Sequence, residues 1–166
     1  LNALHLDLRE DLSIERFVEQ LKKISLRIDV VIFLSGILPG KDLKGYAFEE
    51  VDEVMAVNFS GQAKVLMRML PLLTERSRLL MFSSISAQRG SFDPIYAASK
   101  GALLSFVKSM CTQLPAGARI NAVAPGLIQD SAMFVEMEVQ RQEFHRKQIP
   151  SQQLLGQQAL ADIAFD

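Results

Sequence analysis

Ile28-Asp29-Val30-Val31-Ile32-Phe33-Leu34 is the stretch on which the fold of this 166-residue chain turns. From Val30 to Leu34 the residues are apolar without a break. A strand with no polar alternation suits a parallel sheet covered on both faces. Residues 3–8, 78–83 and 119–124 form three further short apolar runs. Amphipathic stretches lie between them. In 13–24, Ile14, Phe17, Val18, Leu21 and Ile24 share one helical face, with Ser13 as the N-cap. A second helix covers 48–70 and stops near Pro71. A third opens at Asp93-Pro94, a capping residue followed by proline at the first helical position. It runs to about Leu114, with Leu103, Val107, Met110 and Leu114 on one stripe. Strand alternating with helix predicts an α/β fold with a parallel sheet. After Pro125-Gly126 comes a polar helical stretch at 131–147, where Phe134, Met137 and Phe144 stand among many charges, and a short helix follows Gly156.

The length suits one domain. Eighteen Lys and Arg against 19 Asp and Glu leave a net charge of −1, which argues against nucleic acid or an anionic membrane as the main partner. No apolar run approaches the roughly 18 residues of a membrane helix, and no secretion signal opens the sequence, so a cytoplasmic setting is expected. Cys111 stands alone in an apolar helical stretch and reads as a small buried hydrophobe. His5 and His145 are isolated, so no metal site is expected. The cluster Met67, Met69 and Leu70 reads as core or subunit interface.

The chemistry concentrates on the third helix. Tyr96 and Lys100 are four residues apart, so their side chains lie on one face, one turn apart. A tyrosine is a poor acid or base near neutrality, and a nearby ammonium favours its phenolate. Such a pair suits protonation of a carbonyl oxygen, or deprotonation of an alcohol in reverse. Ser83 and Ser84 end a strand at the carboxyl edge, where open parallel sheets bind ligands. Asn58 interrupts the second helix, and its plain reading is a kink. Two look-alikes are set aside. Ser35-Gly36-Ile37-Leu38-Pro39-Gly40 resembles half of a phosphate loop, but Pro39 removes a donor and Asp42 replaces the last glycine. Ser105 and Lys108 have a serine-lysine spacing in mid-helix without companion motifs.

Taken together, Tyr96-Ala97-Ala98-Ser99-Lys100, Ser84, Asn58 in Val57-Asn58-Phe59-Ser60-Gly61, and Arg119 to Gly126 resemble the short-chain dehydrogenase/reductase family in motif and order. The resemblance implies a Rossmann-type doubly wound parallel sheet and an NAD- or NADP-dependent oxidoreductase that interconverts a ketone and a secondary alcohol. Tyr96 would be the general acid/base. Lys100 would lower its pKa and hold the nicotinamide ribose, Ser84 would orient the substrate oxygen, and Asn58 would hold a water linking Lys100 to solvent. Cofactor contacts would come from Asp7 and Leu8 beside the adenine, from Ser35 and Gly36, and from Pro125, Gly126, Ile128 and Asp130 near the nicotinamide. Residues 127–150 would form the substrate lid, and helices 48–70 and 94–114 would pair subunits into a homodimer or homotetramer.

Three departures qualify that picture. Phe33-Leu34-Ser35-Gly36 keeps only the glycine of the family's Asn-Asn-Ala-Gly, so the hydrogen bonds of those asparagines must be replaced or lost. Asp130 stands where a threonine usually contacts the carboxamide. No glycine-rich pyrophosphate loop precedes residues 3–8, the family's third strand. The sequence therefore reads as strands three to six of a longer domain, and 162–166 as a helix interrupted before the last strand. The substrate stays open, with a 3-oxoacyl carrier-protein thioester as the guess by overall similarity. The alternative is a scaffold or cofactor-binding protein that keeps the fold without catalysis.

Overall fold

The structure is a computed structural model that describes residues 2–151 and 153–165. Leu1 and Asp166, on which the reading of an interrupted chain partly rests, lie outside them. Three parallel strands, β1 (Ile28–Phe33), β2 (Leu73–Phe82) and β3 (Arg119–Val123), form one sheet in the order β1-β2-β3. Val30 to Phe33 lie opposite Arg78 to Met81, and Arg78 to Phe82 opposite Arg119 to Val123. β2 begins at Leu73, earlier than its apolar run, because the pairing with β1 skips from Leu73 to Arg78. The Ser77 hydroxyl bridges that irregularity: it donates to Ile28 O at 2.6 Å and accepts from the Thr74 N–H at 2.8 Å.

Residues 3–8 do not form the expected strand. They have no ladder partner among the described residues, and the Asp7 N–H is taken by the Ser13 hydroxyl at 2.8 Å. The same bond corrects the start of the first helix. Ser13 is buried inside α1 (Asp11–Ile24), which begins after Glu10. The apolar content of 3–8 serves packing instead. Leu8 is buried with Ile14, Val18, Val65 and Met69. The expected two-sided cover of the opening strand is incomplete, since β1 forms an edge of the sheet and Val30 is 59% exposed.

Between β1 and β2 lie α2 (Phe48–Met55) and α3 (Gly61–Met69), joined by a wide turn at Ala56–Ser60. Between β2 and β3 lie α4 (Ser86–Arg89) and α5 (Pro94–Met110). α5 is capped by the Asp93 carboxylate, which accepts from the Tyr96 N–H, with Pro94 in its first turn. It ends at Met110 rather than Leu114, and Cys111, just past its end, is exposed rather than buried. The main core joins Leu66, Leu79, Met81, Leu103, Val107 and Ile120. Burial of this apolar face is what holds α5 on the sheet. Residues 131–147 form two helices rather than one, α6 (Ala132–Val135) and α7 (Val139–Lys147), followed by α8 (Gln157–Phe165). The chain divides into two compact units, one ending at Val123 and the other beginning at Ala124. Among the described residues no helix is long and apolar enough to cross a membrane.

Candidate active site

The carboxyl ends of β1 and β2 and the buried face of α5 bring four of the sequence-selected residues together in the first unit. Lys100 is 5% exposed, and its Nζ donates to the carbonyl of Phe82, the last residue of β2, at 2.8 Å. The reverse tie is made by the Ser83 hydroxyl, which donates to Lys100 O at 2.7 Å. Burial lowers the Lys100 pKa to about 8. The ammonium lies 5.9 Å from the centre of the Tyr96 ring. Tyr96 itself is pushed above the usual phenol value, first by burial and then by the charge of Asp93, while a bond with the Ser84 hydroxyl pulls the other way. In this arrangement Lys100 is engaged with Phe82 O, and burial outweighs any lowering of the phenol pKa.

Asn58 is fully buried at the centre of the wide turn. Its Oδ1 accepts from the Ile37 N–H at 2.8 Å, and its Nδ2 donates to Ile37 O at 2.9 Å and to Ser99 Oγ at 3.0 Å. A side chain so committed to a neighbouring segment explains why the helix widens here: the Gly61 N–H reaches back to Ala56 O, one residue further than in an α-helix. Asn58 thus anchors the strap, residues 35–47, that leads from β1 into α2.

Ser35 and Gly36 begin that strap. A Cβ at Gly36 would stand 3.1 Å from Lys100 Nζ and 3.5 Å from Asn58 Oδ1, so bare backbone passes close over both. The start of the strap is tied to the wide turn by Gln62, a residue the sequence reading missed. Its Nε2 donates to Ser35 O at 3.0 Å, Val57 O at 3.1 Å and Asn58 O at 3.2 Å. Two of these carbonyls belong to the wide turn. Gln62 Oε1 is buried with no hydrogen-bond partner among the described residues. The available signal was positional, since Gln62 lies on the helical face that also carries Val65, Leu66 and Met69.

Asp93 was read only as a cap, and Tyr46 was not singled out. The buried carboxylate also accepts from the Gly40 N–H at 3.0 Å, the Lys41 N–H at 3.4 Å and the Tyr46 hydroxyl at 2.8 Å to each oxygen. Burial and that carboxylate hold the Tyr46 phenol far above its ordinary value.

The remaining candidates have partners of their own. Asp7 is bound by Arg9 through Nε and a terminal nitrogen at 2.9 and 2.7 Å, which lowers its carboxyl pKa to about 2. Leu8 backs onto Gly61, where a Cβ would come within 2.3 Å of Leu8 O. Pro125, Gly126, Ile128 and Asp130 belong to the second unit. There Ile128 bridges to Leu155, and Asp130 Oδ2 accepts from the Gln157 N–H at 3.3 Å, at the start of α8. Phe134 is buried in that unit, with Arg146 over its ring at 5.5 Å.

Residues 1–165 match the model of a family described as enoyl-(acyl carrier protein) reductase. The ketoacyl reductase HetN of a Nostoc species is 27% identical over 82% of this chain and 49% of its own length. The 3-oxoacyl-(acyl-carrier-protein) reductase FabG of Aquifex aeolicus is 25% identical over 99% of this chain and 67% of its own. The chain thus spans from about half to two thirds of these relatives. A dehydrogenase/reductase of Sinorhizobium meliloti superposes with a TM-score of 0.88 at 25% identity, over 98% of this chain and 65% of that one. Fold, motif order and family match agree: this chain belongs to the short-chain dehydrogenase/reductase family.

Proposed function

We propose that the chain forms part of an NAD(P)-dependent oxidoreductase that interconverts a ketone and a secondary alcohol, with Tyr96 as general acid/base. The observation that carries this reading is the meeting of Tyr96, Ser84, Lys100 and Asn58 at the carboxyl ends of β1 and β2. A nicotinamide cofactor supplies or accepts the hydride in such a reaction. The site fits one in a specific respect: at Gly36 the strap presents backbone without a side chain beside the Lys100 ammonium. Lys100 and Tyr96 would hold the ribose, with Ser35 and Gly36 as further cofactor contacts.

The roles follow from chemistry. A phenol kept protonated by burial is a suitable donor to a carbonyl oxygen as it gains negative charge. The Ser84 hydroxyl acts on the same phenol and can bond the same oxygen, which would orient it. A lysine with a pKa near 8 changes charge close to working pH and can restore the proton. Asn58, tied to Ile37 and Ser99, fixes the strap beside it. A 3-oxoacyl thioester is the substrate class suggested by the relatives' names. Residues 127–150, with Pro125, Gly126, Ile128 and Asp130, would close over substrate and nicotinamide. Asp7 and Leu8 would border the adenine. Pairing of subunits through the helices at 48–70 and 94–114 and a cytoplasmic setting complete the proposal.

Tyr96→Phe in the full chain tests it. Turnover of a ketone panel should fall about a hundred- to ten-thousand-fold, while binding of reduced cofactor, read by its fluorescence, persists. Undiminished turnover would overturn the assignment.

A further inference from the structure

We propose that Asp93 is a positioning residue for Tyr96, its buried carboxylate clamping the strap to the first turn of α5. The inference rests on the reading of Tyr96 as the acid/base. Capping alone needs one acceptor oxygen, which serine, threonine or asparagine supplies equally well. Asp93 does more. One oxygen accepts from the Tyr96 N–H at 2.8 Å, the other from Gly40 and Lys41, and the Tyr46 hydroxyl reaches both. A serine at this position would cap the helix but could not reach the strap at the same time.

A second tether mirrors the first. Ser99, one turn beyond Tyr96, donates to Tyr96 O at 2.7 Å and accepts from Asn58, which holds Ile37. Tyr96 therefore lies between two anchors to one strap, Asp93 on one side and Ser99 on the other. The charged and hydrogen-bonding groups facing its phenol are the Ser84 hydroxyl, the Lys100 ammonium and the Asp93 carboxylate. Around Asp93 stand Tyr46 and Lys41, whose ammonium pairs with Glu50. A negative charge here opposes phenolate formation and adds to the effect of burial, which together favour the proton-donating form of Tyr96. The Tyr46 hydroxyl offsets part of that charge.

The chain has two tyrosines and no tryptophan, so tyrosinate absorbance of the Tyr46→Phe chain reads Tyr96 alone. Adding Asp93→Asn to it should move that titration down. In turnover, Asp93→Asn should lower kcat at least tenfold, on the order expected for a displaced catalytic group, and shift the phenol-dependent limb of the pH profile downward. Tyr46→Phe should shift the same limb upward. A purely structural role would change rates without displacing the limb in opposite senses. An unmoved titration and limb in folded Asp93→Asn would overturn the inference. If Asp93→Asn fails to fold, the direction of the Tyr46→Phe shift decides. Activity surviving Tyr96→Phe would break the functional reading and leave the titration result standing. A dead Tyr96→Phe chain with an unmoved titration would break this inference alone.

Discussion

Gln62 and Gln140 are the same side chain in two regions built on different terms. Gln62 is fully buried on α3 and holds three backbone carbonyls at the edge of the site. Gln140 is exposed on α7, a helix with no buried residue among those described. The first unit puts polar side chains in its interior and ties most of them to backbone groups: Asn58, Gln62, Asp93, Ser99 and Lys100 are all buried. Such a network rigidifies what it touches and is costly when broken. The helical stretch at 131–147 is mostly exposed, and its Gln142 bridges the carbonyls of Phe134 and Met137 within the stretch itself. One region is thus suited to hold reacting groups in fixed geometry, and the other tolerates change.

The largest expected effect comes from backbone contact rather than from a polar group. At Gly61 a Cβ would meet Leu8 O at 2.3 Å, Ala56 O at 2.7 Å and Leu8 Cβ at 2.7 Å. None of these is the free end of a flexible side chain. Gly61→Ala should therefore cost about 3 kcal/mol, as overpacking of a tight interior does, read as a lowered denaturant midpoint. A variant as stable as the parent would mean that the first unit yields as readily as the second.

Much of this arrangement could be read in the sequence, and the failures share a cause. The apolar runs at β1, β2 and β3, the Asp93-Pro94 start of α5 and the shared face of Tyr96 and Lys100 all depend on local pattern. Residues 3–8 have the same local pattern, yet a strand also needs a neighbour to bond, and the Asp7 N–H bonds Ser13 instead. The Ser13 cap failed for the same reason, since its hydroxyl was already committed to that N–H. Tyr46 and Gln62 act across 47 and 27 positions of sequence, on Asp93 and Ser35 respectively. No periodicity encodes such partners. Only the placement of Gln62 on an apolar face marked it in advance. The sign of the Tyr96 shift was beyond reach too, because it depends on burial outweighing the Ser84 hydroxyl.

A somewhat smaller effect appears in the pH dependence of stability. Burial depresses the Lys100 pKa to about 8 from an ordinary value of 10.5. Between those values the unfolded chain binds a proton that the folded chain does not, so stability rises with pH across that window. Above pH 10 the raised Tyr46 and Tyr96 reverse the sign, because the folded chain then holds the protons. Unfolding free energy should increase by roughly 2 kcal/mol between about pH 8 and 10, and Lys100→Met should remove that rise. A parent curve that is flat through the window would mean that the site's interior is wetter than its burial indicates.

The smallest effects come from making one substitution at both glutamines. Methionine matches glutamine in length and lacks its amide, so Gln→Met removes hydrogen bonding while largely keeping volume. At residue 62 it leaves the carbonyls of Ser35, Val57 and Asn58 without their shared donor, while removing an Oε1 that has no partner among the described residues. Three weakened acceptors against one relieved one should leave a net cost of about 1 to 2 kcal/mol. The loss should fall on the strap, seen as faster amide hydrogen exchange at Ile37 and Gly40. At residue 140 the same change should stay within about 0.5 kcal/mol and leave exchange in α5 unaltered. Equal costs at the two positions would erase the contrast. A Gln62→Met chain more stable than the parent would instead mean that the buried Oε1 costs more than the three carbonyl bonds return, and that Gln62 is kept for the geometry of the strap rather than for stability.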